Sequence, residues 1–179
     1  MEAVFTYGTL EIPEIMQAVT GRSFESCEAR APHFACFLIK DRTYPGMTST
    51  LGHVTLGRIY LNVDSHSLWL LDQFEDKIYR KETIPVETAS RGLSVPALAY
   101  IISPEHQNYL SNEPWRRQDF IDRHLYSYLE ACRQFHRRMS GLGPNNECGG
   151  NTQPIPGTEG HSLNPETTSV DGNGPCQKK

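Results

Sequence analysis

The chain is 179 residues long, which suits one globular domain and leaves too little for two of ordinary size. Lys+Arg 17 against Asp+Glu 21 gives a formal net charge of -4, without the cationic excess that phosphate neutralisation demands, so a dedicated nucleic-acid binder is excluded. No run approaches the ~18 apolar residues of a membrane span and residues 1–10 lack the charged-then-apolar pattern of a secretory signal, so no membrane partner and a cytosolic (cytoplasmic) location are expected.

Ala3, Val4, Phe5 and Thr6 read as a short buried strand, with Tyr7-Gly8-Thr9-Leu10 as a turn after it. A helix is expected next. Pro13 suits its first position, Ile12, Ile15, Met16 and Val19 recur at helical spacing, and Gly21 stands where a C-terminal glycine cap belongs. Strands are predicted at residues 28–31, 34–39 and 54–63, with Tyr44-Pro45-Gly46 and Gly52 as turns. Asp64 caps a short helix that carries Leu68, Leu71 and Phe74 on one face and ends before Lys77. Residues 81–88 and 95–102 are further strands, the second placing Ala97, Ala99 and Ile101 on one side. In residues 114–139, Ile121, Leu125, Tyr128, Cys132, Phe135 and Met139 form one face of a long helix that should pack on the sheet.

Beyond Met139 no aromatic residue follows, and Leu142, Ile155, Leu163 and Val170 are too sparse to offset the entropy of ordering the segment. Residues 141–179 are therefore expected to be a disordered tail and residues 1–140 the folded domain. Strands without regular βα alternation predict an α+β fold, a small mixed β-barrel with flanking helices.

Two segments could carry chemistry. In Tyr7-Gly8-Thr9-Leu10, Gly8 permits positive φ and close backbone approach, so successive amides could converge on a carboxylate or phosphate; an ordinary strand-to-helix turn reads the same way. Glu75 stands near the C-terminal end of a short helix, beside Phe74 and Asp76, and each influence disfavours its charged form. A raised pKa suits a general base, although acidic helix ends are commonly just solvated. Asp72 has a weaker claim and a structural role is expected for it. Tyr79 and Tyr100 could orient a polar substrate or simply pack in the sheet. Cys27, Cys36, Cys132, Cys148 and Cys176 contain no CxxC pair, and His33, Cys36 and His53 lack a second closely spaced pair, so no metal site is expected. The basic residues of the last helix, Arg116, Arg117, Arg123, Arg133, Arg137 and Arg138, are interspersed with Asp119, Asp122 and Glu130, as on a solvated face.

Taken together, the run from Val4 to Leu10, Tyr44-Pro45-Gly46, Gly57, Leu71-Asp72-Gln73-Phe74-Glu75, Tyr79, the strand Ala97-Leu98-Ala99-Tyr100, Trp115 and Phe120 resemble the gamma-glutamylcyclotransferase family, specifically its AIG2-like branch. The likeness covers residues 2–130. It implies a small barrel whose glycine turn, Tyr7, Gly8, Thr9 and Leu10, binds the substrate's alpha-carboxylate through backbone amides. Tyr79 and Tyr100 would line the substrate site, and Glu75 would be the catalytic proton carrier. It further implies an acyltransferase-type enzyme that needs no cofactor and releases 5-oxoproline and an amine from a small-molecule gamma-glutamyl substrate. Asp76 and Lys81 depart from the family's usual glycine and arginine. Two rival readings are a non-catalytic binder of a small acidic metabolite or protein partner on the same fold, and a nucleotide-binding protein. The glycine turn lacks the lysine and glycine spacing of the latter. Nothing in the sequence points to a particular oligomeric state.

Overall fold

The computed structural model describes residues 1–88 and 94–141, so the expected tail lies, but for Gly141, outside the described residues. The strands are β1 (Glu2–Thr6), β2 (Ser26–Leu38), β3 (Pro45–Val63), β4 (Tyr79–Thr88) and β5 (Ser94–Ile102), and the α-helices are α1 (Pro13–Thr20), α2 (Ser65–Phe74) and α3 (Arg117–Met139). Short 3-10 turns span Thr9–Glu11 and Pro104–Tyr109; the second was not foreseen in the sequence.

The strands close into a barrel in the order β1-β3-β2-β4-β5. β1 runs antiparallel to β3, from Glu2↔Val63 to Thr6↔Arg58, and meets β5 in parallel at Val4↔Leu98, which makes the barrel mixed. Among the described residues β2 pairs with β4 at Ala29↔Thr88 and Arg30↔Glu87, and that short seam completes the closure.

β2 corrects the expectation of two separate strands. It is continuous, and the register jumps from Pro32↔Val54 to Phe34↔Ser49. His33 at φ 64 and Gly52 at φ 82 face one another across this irregularity, and the His33 imidazole Nδ1 accepts the Gly52 amide at 3.3 Å. Gly52 is thus a bulge residue inside β3 rather than a turn. A left-handed glycine there bends the long strands, and bending is what a closed barrel requires. Pro45 and Gly46 likewise start β3, and the turn lies just before them.

Alternation along each strand divides the apolar side chains between two compartments. Phe5, Ile59, Ile84, Val86, Ala97, Ala99 and Ile101 fill the barrel, as the spacing in β5 predicts. Val4, Tyr60, Val63, Leu98 and Tyr100 face the helices instead. α1 forms as read from sequence: Pro13 at its start, Ile15, Met16 and Val19 buried, and Gly21 at φ 72 donating its amide to the Gln17 carbonyl at 2.8 Å. Asp64 caps α2 by accepting the Ser67 amide at 2.9 Å and the Ser67 hydroxyl at 3.0 Å. α2 buries Ser67, Leu70, Leu71 and Phe74, so its inner stripe is wider than the one read from the sequence.

α3 starts at Arg117, and it lies against α1 and α2 rather than directly on the sheet. The reason is that α1 and α2 already cover that face of the barrel. Phe74 of α2 therefore meets Phe135 at 5.3 Å and Tyr128 at 6.4 Å between ring centroids, both edge-on. The solvated face of α3 carries local ion pairs, Glu130 with Arg133 at 3.7 Å and with Arg137 at 2.9 Å. No described helix is long and apolar enough to cross a membrane.

Candidate active site

β1 ends at Thr6 and the chain turns at once. The carbonyls of Gly8 and Thr9 accept the amides of Glu11 at 3.0 Å and Ile12 at 3.2 Å. The amides of Gly8, Thr9 and Leu10 have no backbone acceptor among the described residues, and successive free amides of this kind can receive an anion. Gly8 itself has φ -127 and ψ -136, so positive φ is not the reason for a glycine here. A Cβ at Gly8 would stand 2.8 and 2.9 Å from Cγ and Cδ of Pro45, so close approach to the start of β3 is the reason. Gly8→Val is therefore expected to push the turn off Pro45 and abolish binding of 5-oxoproline in calorimetry, with Gly8→Ala weakening it less.

Glu75 is the first residue out of α2. Its amide donates to the Leu71 carbonyl at 3.0 Å, and the backbone then leaves the helix at φ -74 and ψ 144 while Phe74 anchors the helix end in the apolar core. The carboxyl is partly buried. Burial first, then the charges of Asp76 and Asp72, push it up to about 8. Its charge acts in turn on the phenols of Tyr7, Tyr44, Tyr79, Tyr100 and Tyr128, all of them held up chiefly by their own burial. These phenols come from the end of β1, the turn before β3, β4, β5 and α3, so hydroxyls of five parts of the chain lie within the electrostatic reach of Glu75.

Each hydroxyl has a traceable position. Tyr7 Oη donates to the Tyr100 carbonyl at 2.5 Å and accepts the Met47 amide at 3.2 Å, fixing the glycine turn to two strands. Tyr79 Oη donates to the Pro45 carbonyl at 2.6 Å. Tyr100 Oη donates to Asp72 Oδ1 at 2.6 Å, and Lys81 Nζ holds both Asp72 oxygens at 2.7 Å. Asp72 is therefore occupied as a strut between α2 and the sheet. Tyr128 is buried on α3 and packs edge-on against Phe74 at 6.4 Å and Phe120 at 5.2 Å between ring centroids.

Asp76 does two things. Its carbonyl accepts the Tyr79 amide at 3.0 Å, and its Oδ1 accepts the Ile78 amide at 3.4 Å, shaping the turn that returns the chain into β4. Its charge also raises Glu75. Glu11 is the other carboxyl held near neutrality, raised to about 7 by burial against the opposing pull of Arg117 at 3.2 Å.

Tyr7, Tyr79 and Tyr100 all feel the charge of Glu75, and Tyr7, which leads into Gly8, Thr9 and Leu10, is fixed to two strands by its hydroxyl. Tyr44 and Tyr128 were missed as members of this group. Tyr44 reads as turn punctuation and Tyr128 as a core position; the available signal was a phenol where a plain apolar residue would fill the space, because a buried hydroxyl needs a partner. Beyond Thr43, whose carbonyl accepts Trp115 Nε1 at 3.1 Å, a cleft of about 450 Å³ opens, bordered by Arg42, Glu113, Arg116, Phe120 and Arg123 among others. Among the described residues no group of three or more His, Cys, Asp or Glu gathers as metal ligands would.

Comparison with known proteins agrees with this architecture. AIG2-like protein D of Arabidopsis thaliana is 24% identical over 141 residues, covering 78% of this chain and 92% of that protein. AIG2-like protein A of the same plant is 27% identical over 118 residues, covering 64% and 72%. A solution structure of an Arabidopsis thaliana protein shares the fold with a TM-score of 0.58 at 22% identity, over 78% of this chain and 91% of that one. A solved gamma-glutamyl cyclotransferase superposes with a TM-score of 0.51 at 15% identity, over 85% and 93%. The family profile described as gamma-glutamyl cyclotransferase, AIG2-like, matches residues 4–117, well over half of the chain, and the protein belongs to that family.

Proposed function

We propose that this protein cyclises a gamma-glutamyl amine or peptide, releasing 5-oxoproline and a free amine. The observation that carries the reading is Glu75: a partly buried carboxyl raised to about 8, acting electrostatically on Tyr7, the residue that leads into a turn with available amides. The substrate's alpha-carboxylate would rest on the amides of residues 8–10. Its alpha-amine then attacks its own gamma-carbonyl, forming the lactam C–N bond, and the C–N bond to the leaving amine breaks. Glu75 takes the proton from the attacking amine and returns it to the departing one, so no net proton is consumed. Since the nucleophile is tethered, the main work is folding the substrate into attack geometry, proton transfer and stabilising the oxyanion. No step calls for a cofactor.

A base with a pKa of about 8 is ionised in about a tenth of molecules at pH 7, yet it is matched to a proton transfer near neutrality. Burial is the first cause of this reluctance to ionise, and the charge of Asp76 adds to it. Asp76→Asn removes the charge that disfavours ionised Glu75, so the Glu75 pKa falls. The acid limb of kcat/KM against pH is expected to move to lower pH, raising activity at pH 6.5 relative to wild type. Glu11→Gln, the control for the other near-neutral carboxyl, should leave that limb in place.

The same protonated state favours a second reading, in which the site binds a small acid without turning it over. A panel of gamma-glutamyl amino acids, peptides and amines, incubated with wild type and Glu75→Gln and followed by mass spectrometry for 5-oxoproline, separates the two. Release by wild type alone supports the enzyme. Calorimetric binding of a panel member with no amine released over hours supports the binder.

A further inference from the structure

Among the phenols that Glu75 acts on, Tyr7, Tyr79 and Tyr100 are each engaged within the protein, by the Tyr100 carbonyl, the Pro45 carbonyl and Asp72 respectively. Tyr44 is different. Its Oη is buried and has no hydrogen-bond partner among the described residues, and the residue as a whole is only 9% exposed. Buried phenol hydroxyls ordinarily find a partner, because leaving one unpaired costs its full desolvation.

The side chain cannot easily swing away to find one. The backbone on either side is pinned: the Thr43 carbonyl accepts Trp115 Nε1 at 3.1 Å, the Tyr44 carbonyl accepts the Ile39 amide at 3.2 Å, and the Pro45 carbonyl accepts Tyr79 Oη at 2.6 Å. The ring packs with Ile39 and Ile102, and with Ile78 and Tyr79 beside them. Its hydroxyl lies within the electrostatic reach of the Arg42 guanidinium first, then of Asp76 and Glu75, and of the phenols of Tyr79 and Tyr128. An unpaired buried donor on a pinned stretch of backbone, within the electrostatic reach of Glu75, has the attributes of a group whose partner arrives with the substrate.

In the reaction proposed above, the residue 8–10 amides take the alpha-carboxylate and Glu75 serves the amines. The gamma-carbonyl oxygen is the atom still without a donor, and it is where negative charge develops as the amine adds. We propose that Tyr44 Oη donates the hydrogen bond that stabilises this oxyanion, which makes Tyr44 a catalytic residue of the site. The inference rests on the cyclotransferase reading. Burial keeps the phenol protonated to about pH 12, so it is available as a donor throughout the working range.

The test is Tyr44→Phe in the full chain, compared with wild type and Glu75→Gln on whichever panel substrate wild type cyclises. The expected result is a fall in kcat of about 10²-fold with KM within about twofold, the cost of removing one oxyanion donor. The acid limb of the pH profile should stay with Glu75. Binding of 5-oxoproline, whose lactam carbonyl is the former gamma-carbonyl, should weaken about fivefold in calorimetry. The melting temperature of the unliganded variant should equal or exceed that of wild type, since phenylalanine removes an unpaired buried oxygen and keeps the ring. An unchanged kcat overturns the assignment, and so does a lowered melting temperature with kcat and KM both degraded, which marks a merely structural residue. Full activity of Tyr44→Phe with an inactive Glu75→Gln sinks the Tyr44 role alone. Failure of wild type to release 5-oxoproline from any panel member sinks the cyclotransferase reading and the oxyanion role with it.

Discussion

Glu75→Gln is expected to lower turnover by about 10²-fold or more while leaving substrate binding within a few-fold, because glutamine preserves size and hydrogen-bonding capacity but cannot carry the proton. The decisive readout is 5-oxoproline release at saturating substrate; an unchanged rate removes Glu75 from the mechanism. The same substitution has a second, opposite consequence. Glu75 ionises near pH 8 in the folded protein but near its ordinary 4.5 when exposed, so between these values the folded state binds more protons than the unfolded one. Its contribution to stability is therefore fully present below about pH 4.5 and is lost as pH rises through about 8. Glutamine does not titrate, so Glu75→Gln should melt at least about 4 °C above wild type at pH 9, and the gap should shrink towards pH 5. Calorimetric scans at the two pH values check the sign. A variant that is inactive and more stable under alkaline conditions is what a carboxylate kept in place for chemistry predicts.

Gly57→Ala is expected to be the most damaging single methyl addition at a described glycine, costing about 3 kcal/mol or more. A Cβ at Gly57 would lie 2.1 Å from the Thr6 carbonyl oxygen and 2.9 Å from Phe5 Cζ. The first neighbour is backbone and cannot rotate aside. Gly57 also pairs with Ala29 on β2 while the adjacent Arg58 pairs with Thr6 on β1, so β3 is held from both sides at this point. Relief requires β1 to separate from β3, and β1 delivers Tyr7 and the glycine turn. Urea denaturation should show a lowered midpoint with an unchanged slope, and the folded fraction should bind 5-oxoproline poorly. Gly8→Val differs in kind: its clash is with a proline side chain at the site, so it should harm binding more than stability.

These contrasts also show which features are local in origin. α1 needed only Pro13, the spacing of Ile15, Met16 and Val19, and Gly21, because start signal, apolar stripe and left-handed cap all lie within one short stretch of chain. The Asp64 cap and the alternation of Ala97, Ala99 and Ile101 are of the same kind. The glycine turn and Glu75 stood out as candidates for comparable reasons, one as a strand ending in glycine and the other as a carboxylate beside Asp76 at a helix end.

Interactions between distant positions were not legible in that way. The Tyr7–Tyr100 bond joins residues 93 apart and the Tyr100–Asp72 bond residues 28 apart. The first needs β1 beside β5, and the second needs α2 seated against β5. Gly8 was noticed for its freedom in φ, whereas its role is to let Pro45 approach, a neighbour contributed by another strand. Separate strands at residues 28–31 and 34–39 proved to be one, since a bulge depends on the partner strand's register as much as on its own residues. Caps and periodicities arise from forces between near neighbours and are written in short windows of sequence. Burial, the pKa of Glu75 and the unpaired state of Tyr44 depend on which side chains barrel closure brings together, and only the completed tertiary structure decides that.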